Sequence, residues 1–181
     1  MTDTETSSQQ VHGDGAASCL GSILALLLLR LWLGIRSLQE GVEKFAGMKA
    51  TEEAVEIDGE VNEYGLVDTA TEKVYGLSHF QSVPEGMYDR LLAEPLMPAF
   101  GLAIYDKLLG PLLIILGLTV LLGIALRFSL FAMGLVYTSL TFGLILLGQD
   151  AGIAWLGIHI LLIVAALLHV RHNRFSVMKS F

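Results

Sequence analysis

The sequence LGSILALLLLRLWLGIRSLQEG, residues 20–41, is long and apolar enough to cross a lipid bilayer. A transmembrane helix needs about 20 mostly apolar residues, and this stretch supplies them despite Arg30, Arg36 and Glu40. Three similar stretches follow, at residues 108–126, 128–148 and 152–170. Because little more than Arg127 separates the second stretch from the third, these two must form a tight hairpin. The sequence therefore predicts an all-α membrane protein, a bundle of four transmembrane helices.

The overall composition agrees with a membrane protein. Of the 181 residues, 54% are hydrophobic and the mean hydropathy is +0.64, which is too apolar for an ordinary soluble domain. The net charge of −7 comes without a basic face, so nucleic acid is excluded as a partner. Cys19 is the single cysteine, so the chain has neither an internal disulfide nor a CxxC pair for thiol redox chemistry or metal binding.

The membrane domain is predicted to cover residues 19–181, preceded by a disordered polar tail at residues 1–18. This tail lacks the basic and apolar parts of a signal peptide. Orientation follows the cations beside the span ends. On one side these are Arg127, Arg171, Arg174 and Lys179. The connection between the third and fourth spans has no cation, so we predict a multi-pass protein of the inner (cytoplasmic) membrane with both termini in the cytoplasm.

Residues 42–99 then form an acidic extracytoplasmic insert between the first two spans. Apolar residues alternate with acids around Asp58–Gly59, which predicts a β-hairpin. A second strand pair could run through YGLVD and EKVYGL, residues 64–68 and 72–77. Ser82 as a cap and Glu85 as its reciprocal partner predict the start of a short helix. A flexible acidic loop is the alternative to this small folded insert.

Charged and small residues share one face of the first span. At 3.6 residues per turn this stripe consists of Arg30, Gly34, Ser37, Gly41 and Lys44. The second span carries a similar stripe of Asp106, Gly110 and Gly117. Since small residues let helices approach closely, we expect the two stripes to face each other. Arg36 and Glu40 lie on another face, at the i,i+4 spacing that favours an ion pair.

Arg30 lies about 15 Å along the helix from Leu20, and therefore near the middle of the membrane. An unpaired cation there costs about 3 kcal/mol or more. Two interpretations stay open. Arg30 either fixes helix packing by binding neutral groups, or it holds an anionic or carbonyl-bearing ligand such as a quinone head group or a lipid phosphate. The neutral groups within reach are backbone carbonyls and the side chains of Tyr137, Thr138, Thr141 and His159.

Lys44 and Asp106 are predicted to form an ion pair at the mouth of the bundle, with Gln149 or Asp150 nearby. His159 is the one histidine deep in a span. A haem needs two axial ligands at matched depth, so we expect no haem and no metal, and interpret His159 as a hydrogen-bonded interior residue. The candidate ligand-binding residues are Arg30, Lys44, Asp106 and His159.

RLWLGIRSLQEGVEKF, residues 30–45, resembles the opening signature of the DoxX/DoxD family of membrane proteins. The positions that match are Arg30, Gly34, Gly41, Lys44 and Phe45. DKLLGPLLIILGL, which begins at Asp106, resembles the second-helix block of that family. LLGIALRFSLFAMGL, which carries Arg127, fits the hairpin between the second and third helices. The long acidic insert departs from the compact members of the family.

The resemblance implies a membrane subunit of a quinone-linked redox complex, of the kind found in thiosulfate:quinone oxidoreductase. The chain has no flavin, nicotinamide or iron–sulfur motif, so a quinone or a partner subunit would supply the redox chemistry. Whether the chain is itself an enzyme stays open. The alternative is a non-catalytic membrane scaffold or assembly partner of a redox or stress-response complex. Either interpretation implies contact with membrane lipid and with a partner subunit or a second copy of the chain.

Overall fold

The computed structural model describes residues 3–54, 56–57, 60–61 and 67–173. Its long helices are α1 (Asp3–Glu43), α3 (Ala99–Leu122), α4 (Leu126–Leu146) and α5 (Asp150–His169). Four helical segments are long and apolar enough to cross a membrane: Cys19–Glu43, Ala99–Leu122, Leu126–Leu146 and Asp150–His172. The last consists of α5 and the 3-10 turn that follows it, Val170–His172. The predicted fold class, a four-helix membrane protein with a small insert between the first two spans, is confirmed.

The beginning of α1 differs from the sequence-based expectation. The helix starts at Asp3, so the backbone from Asp3 onward is helical in the segment predicted to be a disordered tail. Extending an existing helix adds one hydrogen bond per residue without a new nucleation step, so the apolar span can propagate a helix into polar sequence. The part that is long and apolar enough to cross a membrane is Cys19–Glu43.

The bundle has a tightly packed interior and an apolar outer surface. α1 packs mainly on α3, α4 packs mainly on α5, and α1 also contacts α5. Fully buried side chains include Leu33, Leu113, Val120, Leu130 and Met133. Large apolar side chains also point outward from every long helix, including Leu28, Ile115, Phe128 and Leu161. Helices that are apolar on all sides are typical of membrane spans, whose outer faces contact lipid tails.

A tight turn joins α3 to α4, as predicted. Gly123 ends α3 in the left-handed region with φ 71°, a conformation that costs glycine little. The N–H of Ile124 donates to the carbonyl of Thr119 at 2.9 Å, which closes the end of the helix. Ala125 also has positive φ, at 43°, and α4 begins at the next residue.

The insert contains two hairpins and a short helix. Strand β1 (Ala46–Ala54) pairs antiparallel with β4 (Val67–Tyr75), from Ala46 opposite Tyr75 to Ala54 opposite Val67. Strands β2 (Glu56–Ile57) and β3 (Glu60–Val61) pair as predicted, whereas their turn lies outside the described residues. The second predicted pair is wrong, because its described parts, Val67–Asp68 and Glu72–Tyr75, belong to the single strand β4, whose partner is β1. Residues 64–66 of this prediction lie outside the described residues.

Helix α2 (Glu85–Leu92) is present as predicted, but Ser82 does not cap it. The residue before the first turn is Pro84, and no side chain caps the helix. Proline fixes φ close to the helical value and lacks an N–H, so it can begin a helix without a polar cap. Leu91 then anchors α2 against Leu102 of α3 and Leu147 at the end of α4.

Paired glycines set the register of α1 against α3. A Cβ on Gly34 would lie 3.1 Å from the carbonyl oxygen of Gly117, and one on Gly117 would lie 2.9 Å from the carbonyl oxygen of Gly34. A Cβ on Gly41 would likewise lie 3.1 Å from the carbonyl oxygen of Gly110. The two stripes therefore face each other, as predicted. Because Gly110 is at the middle of α3, α1 ends level with the centre of its neighbour rather than with its beginning.

Candidate functional site

Arg30 binds the C-terminal end of α3. Its side chain is only 3% exposed, and its Nε donates to the carbonyl oxygen of Val120 at 3.2 Å and its Nη2 to that of Leu121 at 2.9 Å. Its Nη1 donates to Oδ1 of Asn173 at 2.8 Å. The last carbonyls of a helix lack intrahelical donors and carry partial negative charge, so a guanidinium is well placed here. Arg30 joins α1 to the ends of α3 and α5.

These contacts bear on two expectations for Arg30. Arg30 lies level with the ends of α3 and α5, because the glycine register shifts α1 along α3. Of the predicted neutral partners, backbone carbonyls are confirmed, whereas the hydroxyls of Tyr137, Thr138 and Thr141 are not among its described contacts. The packing interpretation fits this geometry.

Gly123 makes the Arg30 contact possible. A Cβ at this position would lie 2.5 Å from Nη2 of Arg30 and 2.9 Å from its guanidinium carbon. Glycine is thus required here both for the left-handed turn and for the close approach of the guanidinium to the backbone.

A central cavity of about 390 Å³ lies at the opposite end of the α1 stripe. Its walls are mostly apolar, with a few polar side chains: Arg36, Glu40, Lys44, Ser82, Tyr137 and His159. Tyr137 and His159 lie near the midpoints of α4 and α5, so the cavity is level with the middle of these helices. It is open at the side, where the lining residue Trp155 is 64% exposed. A mostly apolar cavity of this size with a few convergent polar groups is typical of small-molecule sites.

His159 lines this cavity and has one unpartnered ring nitrogen. Its side chain is 6% exposed, and Nδ1 lies 2.9 Å from the carbonyl oxygen of Trp155. A carbonyl can only accept, so this hydrogen bond requires a proton on Nδ1 and leaves Nε2 of the neutral ring as an acceptor. Nε2 is buried and has no hydrogen-bond partner in the described part of the chain. The prediction of a hydrogen-bonded interior histidine is thus confirmed for one ring nitrogen.

Ser82 contributes a second buried polar atom to the same cavity. It is 1% exposed, and its Oγ has no hydrogen-bond partner within the described residues. Buried polar groups are nearly always hydrogen-bonded, and leaving one unsatisfied costs about 1–3 kcal/mol. Two unsatisfied atoms in the wall of one cavity indicate a site that binds polar groups of a ligand or ordered water.

The predicted ion pair between Lys44 and Asp106 is wrong. Oδ1 of Asp106 instead accepts the backbone N–H of Val83 at 2.9 Å. The chain that follows β4 returns beside α1, where the N–H of Gln81 donates to the carbonyl of Lys44 at 2.8 Å. This returning segment supplies Asp106 with a backbone donor, which a helix-by-helix prediction does not include. None of the described contacts joins Gln149 or Asp150 to Lys44 or Asp106.

Lys44 lines the cavity without a direct carboxylate contact. Ion pairs within the described ranges join Arg36 to Glu40, as predicted, and Lys73 to Glu43. Burial lowers the pKa of Lys44, whereas the carboxylates of Glu40 and Asp106 act in the opposite direction. Its ammonium group is therefore partly desolvated and lies in the field of acidic neighbours.

The four predicted ligand-binding residues thus fall in three places. Lys44 and His159 share the central cavity, Asp106 holds the segment leading to α2, and Arg30 lies at the far end of the α1 stripe. That any of them binds a ligand stays a prediction. Sequence reasoning missed the wall residues Arg36, Glu40 and Ser82. The spacing 36, 40, 44 was the available signal for the α1 wall, since residues four apart lie on one face of a helix.

Comparison with protein-family models, with curated proteins and with solved structures finds no match for this chain. Within the ranges that the structure describes, no group of three or more His, Cys, Asp or Glu residues is placed to hold a metal ion.

Proposed function

We propose that this multi-pass membrane protein binds a quinone in the central cavity and serves as the membrane subunit of a quinone-linked redox complex. The observation that carries this proposal is the buried, unpartnered Nε2 of His159 in the wall of that cavity. A quinone or quinol carries two oxygen atoms on opposite sides of an apolar ring. It therefore matches a mostly apolar cavity that has a few polar side chains in its walls.

The cavity residues suit both redox forms of such a ring. With the proton of the His159 ring on Nδ1, Nε2 accepts a hydrogen bond from a quinol hydroxyl. The ammonium of Lys44 and the hydroxyl of Ser82 are donors to ring oxygens. The bound quinone would supply the electron-carrying chemistry, while the protein binds and orients it.

The resemblance to the DoxX/DoxD family supports the same proposal from a separate direction. Lys44 belongs both to the signature that carries the resemblance and to the cavity wall. Arg30, Gly34 and Gly41 of that signature hold α1 against α3. We accordingly propose that these signature residues form the α1–α3 contact, which in turn positions Lys44.

Quinone binding can be tested by fluorescence of Trp155, which lines the cavity, in a variant whose Trp32 is replaced by Phe. Titration with a short-chain quinone in detergent should quench Trp155. His159→Leu should weaken this binding about ten-fold, the effect of losing one buried hydrogen bond.

His169→Leu is the matched control for this experiment. Nδ1 of His169 also contacts the carbonyl four residues before it, that of Ala165 at 2.8 Å, but His169 lies at the end of α5 and outside the cavity lining. Equal affinities of the His159→Leu variant and the parent protein would contradict the proposal, as would equal weakening by both histidine substitutions.

We also propose that the protein lies in the cytoplasmic membrane with both termini inside and the insert outside. In a Cys19→Ser background, Ala70→Cys should react with a membrane-impermeant thiol reagent in intact cells, whereas Ser176→Cys should react only after lysis. Labelling at position 176 but not at position 70 in intact cells would contradict this orientation.

A non-catalytic scaffold role is the second candidate function, and one observation favours it. Strands β1 and β4 form a two-stranded sheet in which, among the described strands, each pairs only with the other. Thr71, Glu72 and Lys73 of β4 are exposed. Both outer edges of this hairpin can accept a strand of another protein. Failure of quinone binding, together with loss of a co-purifying subunit on deletion of residues 48–73, would favour the scaffold.

A further inference from the structure

A second cavity of about 190 Å³ lies beside the first, between α2, α3 and α4. We call this cavity the side groove. Apart from Tyr105 and Ser139, its lining is apolar: Val83, Met87, Leu91, Met97, Gly101, Leu102, Leu140, Phe142, Gly143, Leu144 and Leu147. The Ser139 hydroxyl donates to the carbonyl of Val136 at 2.7 Å, which leaves Tyr105 as the donor in its 3.0 Å contact with Ser139.

The two cavities differ in their polar groups. The hydroxyls of the side groove satisfy each other and the backbone, so the groove offers nothing unsatisfied to a polar ligand. The central cavity has unpartnered polar atoms at His159 and Ser82, as far as the described residues go. The central cavity is therefore suited to a polar head group and the side groove to an alkyl chain.

The two cavities are also adjacent. Val83, Met87, Leu140 and Leu144 line both of them. Val83 lies just before α2 and Met87 lies on it, and Leu140 and Leu144 are one turn apart on α4. These four apolar side chains therefore lie where the two cavities adjoin, and none of the described residues that line the side groove is charged.

We propose that one amphiphilic ligand occupies both cavities, with its polar ring in the central cavity and its alkyl tail in the side groove. This inference rests on the proposed quinone binding and adds the route of the tail between α2 and α4. Gly143 keeps the groove open, because a Cβ there would meet only Leu91, at 4.0 Å. A larger side chain at position 143 would extend into the space assigned to the tail.

The test compares a benzoquinone without an alkyl tail and the same ring with a ten-carbon tail, by the Trp155 quenching titration described above. Gly143→Leu should weaken binding of the tailed quinone about ten-fold, the effect of overfilling a packed site. It should leave binding of the ring alone unchanged. Gly157→Leu is the matched control, because it is the same substitution on α5, where a Cβ meets nothing within 4 Å.

Each outcome has a distinct meaning. If Gly143→Leu leaves the affinity for the tailed quinone unchanged while both quinones bind the parent protein, the tail lies elsewhere and this inference is wrong. If neither quinone binds the parent protein, the proposed function fails and the inference fails with it. An equal loss for both quinones would place the effect on the ring site and would also contradict the inference.

A second measurement does not depend on the folding of a variant. A tailed quinone with a photoreactive group at the tail end should cross-link to the parent protein at α2 or α4, near Met87 or Phe142. Cross-links confined to outward-facing residues of α1 or α5 would overturn the proposed route.

Discussion

The two ends of the polar stripe on α1 look alike in the sequence and differ in the structure. At one end Arg30 donates to two carbonyls at the end of α3 and to Asn173, and Nδ1 of the adjacent His172 is buried without a hydrogen-bond partner among the described residues. At the other end Lys44 lines a cavity whose wall contains two unpartnered polar atoms. A buried cation is therefore a candidate ligand-binding group where it lines a cavity, as Lys44 does, and a packing group where backbone carbonyls accept from it, as they do from Arg30.

The largest effect is expected at the Arg30 end. Arg30→Met removes the donor to the carbonyls of Val120 and Leu121, and we expect it to lower the free energy of unfolding by about 3 kcal/mol. The folded fraction should still bind quinone with the affinity of the parent protein. Thermal unfolding in detergent, followed by the Trp155 titration, measures both properties.

Arg127→Met is the control for this experiment, because Arg127 is exposed at the start of α4. It should change stability little. A loss of quinone affinity in folded Arg30→Met protein would contradict the packing role of Arg30, because Arg30 would then belong to the quinone site.

A smaller loss of stability is expected from disturbing the glycine contact that fixes the register of α1 against α3. Gly117→Ala puts a Cβ 2.9 Å from the carbonyl oxygen of Gly34 and 2.9 Å from the backbone nitrogen of Leu38. Because backbone atoms cannot rotate away, the helices must separate, and we expect a loss of about 1–3 kcal/mol in thermal or denaturant unfolding.

Gly157→Ala provides the reference, since a Cβ there meets nothing within 4 Å. It should stabilise α5 slightly, because alanine favours the helix over glycine. Equal stability of the Gly117→Ala and Gly157→Ala variants would mean that α1 and α3 do not pack in this register.

The smallest effect on stability is expected for two buried serines, one with a hydrogen-bond partner and one without. Ser37 and Ser82 are both buried, but only Ser37 has a described partner, the carbonyl oxygen of Leu113 at 2.9 Å. Ser37→Ala should cost about 1 kcal/mol, whereas Ser82→Ala should leave the stability of the ligand-free protein unchanged or slightly higher. If Ser82→Ala costs more than Ser37→Ala in the same unfolding assay, Ser82 has a partner in the free protein and the contrast between the two ends weakens.

Much of the helical fold could be predicted from the sequence, because membrane spans and small-residue stripes follow from local pattern. The apolar stretches identified the spans, and Gly34, Gly41, Gly110 and Gly117 identified the faces that meet. Helical periodicity determines the direction in which a residue points. It does not determine how far one helix is shifted along another, so the sequence did not predict that Arg30 lies level with the end of α3 and Lys44 with its middle.

The central cavity could be predicted only in part. His159 stood out because it is a histidine deep in a span, and Lys44 because it continues the stripe. Ser82 could not be assigned, because its position depends on the segment between β4 and α2 returning against α1 and α3. Its contacts, such as that of Gln81 with Lys44, join residues far apart in sequence. For the same reason the acceptor role of Asp106 toward Val83 was missed.

The shifted register of α1 has a consequence for the lipid around the protein. The beginning of the apolar part of α1 extends past the end of α3 by roughly ten residues, or about 15 Å. Its side chains Leu20, Leu24 and Leu28 are 57%, 49% and 68% exposed. The apolar belt is therefore stepped, and a flat bilayer of even thickness cannot match it on every side. We expect the two leaflets to bend around α1, so that hydrophobic mismatch favours a neighbouring protein with a complementary step.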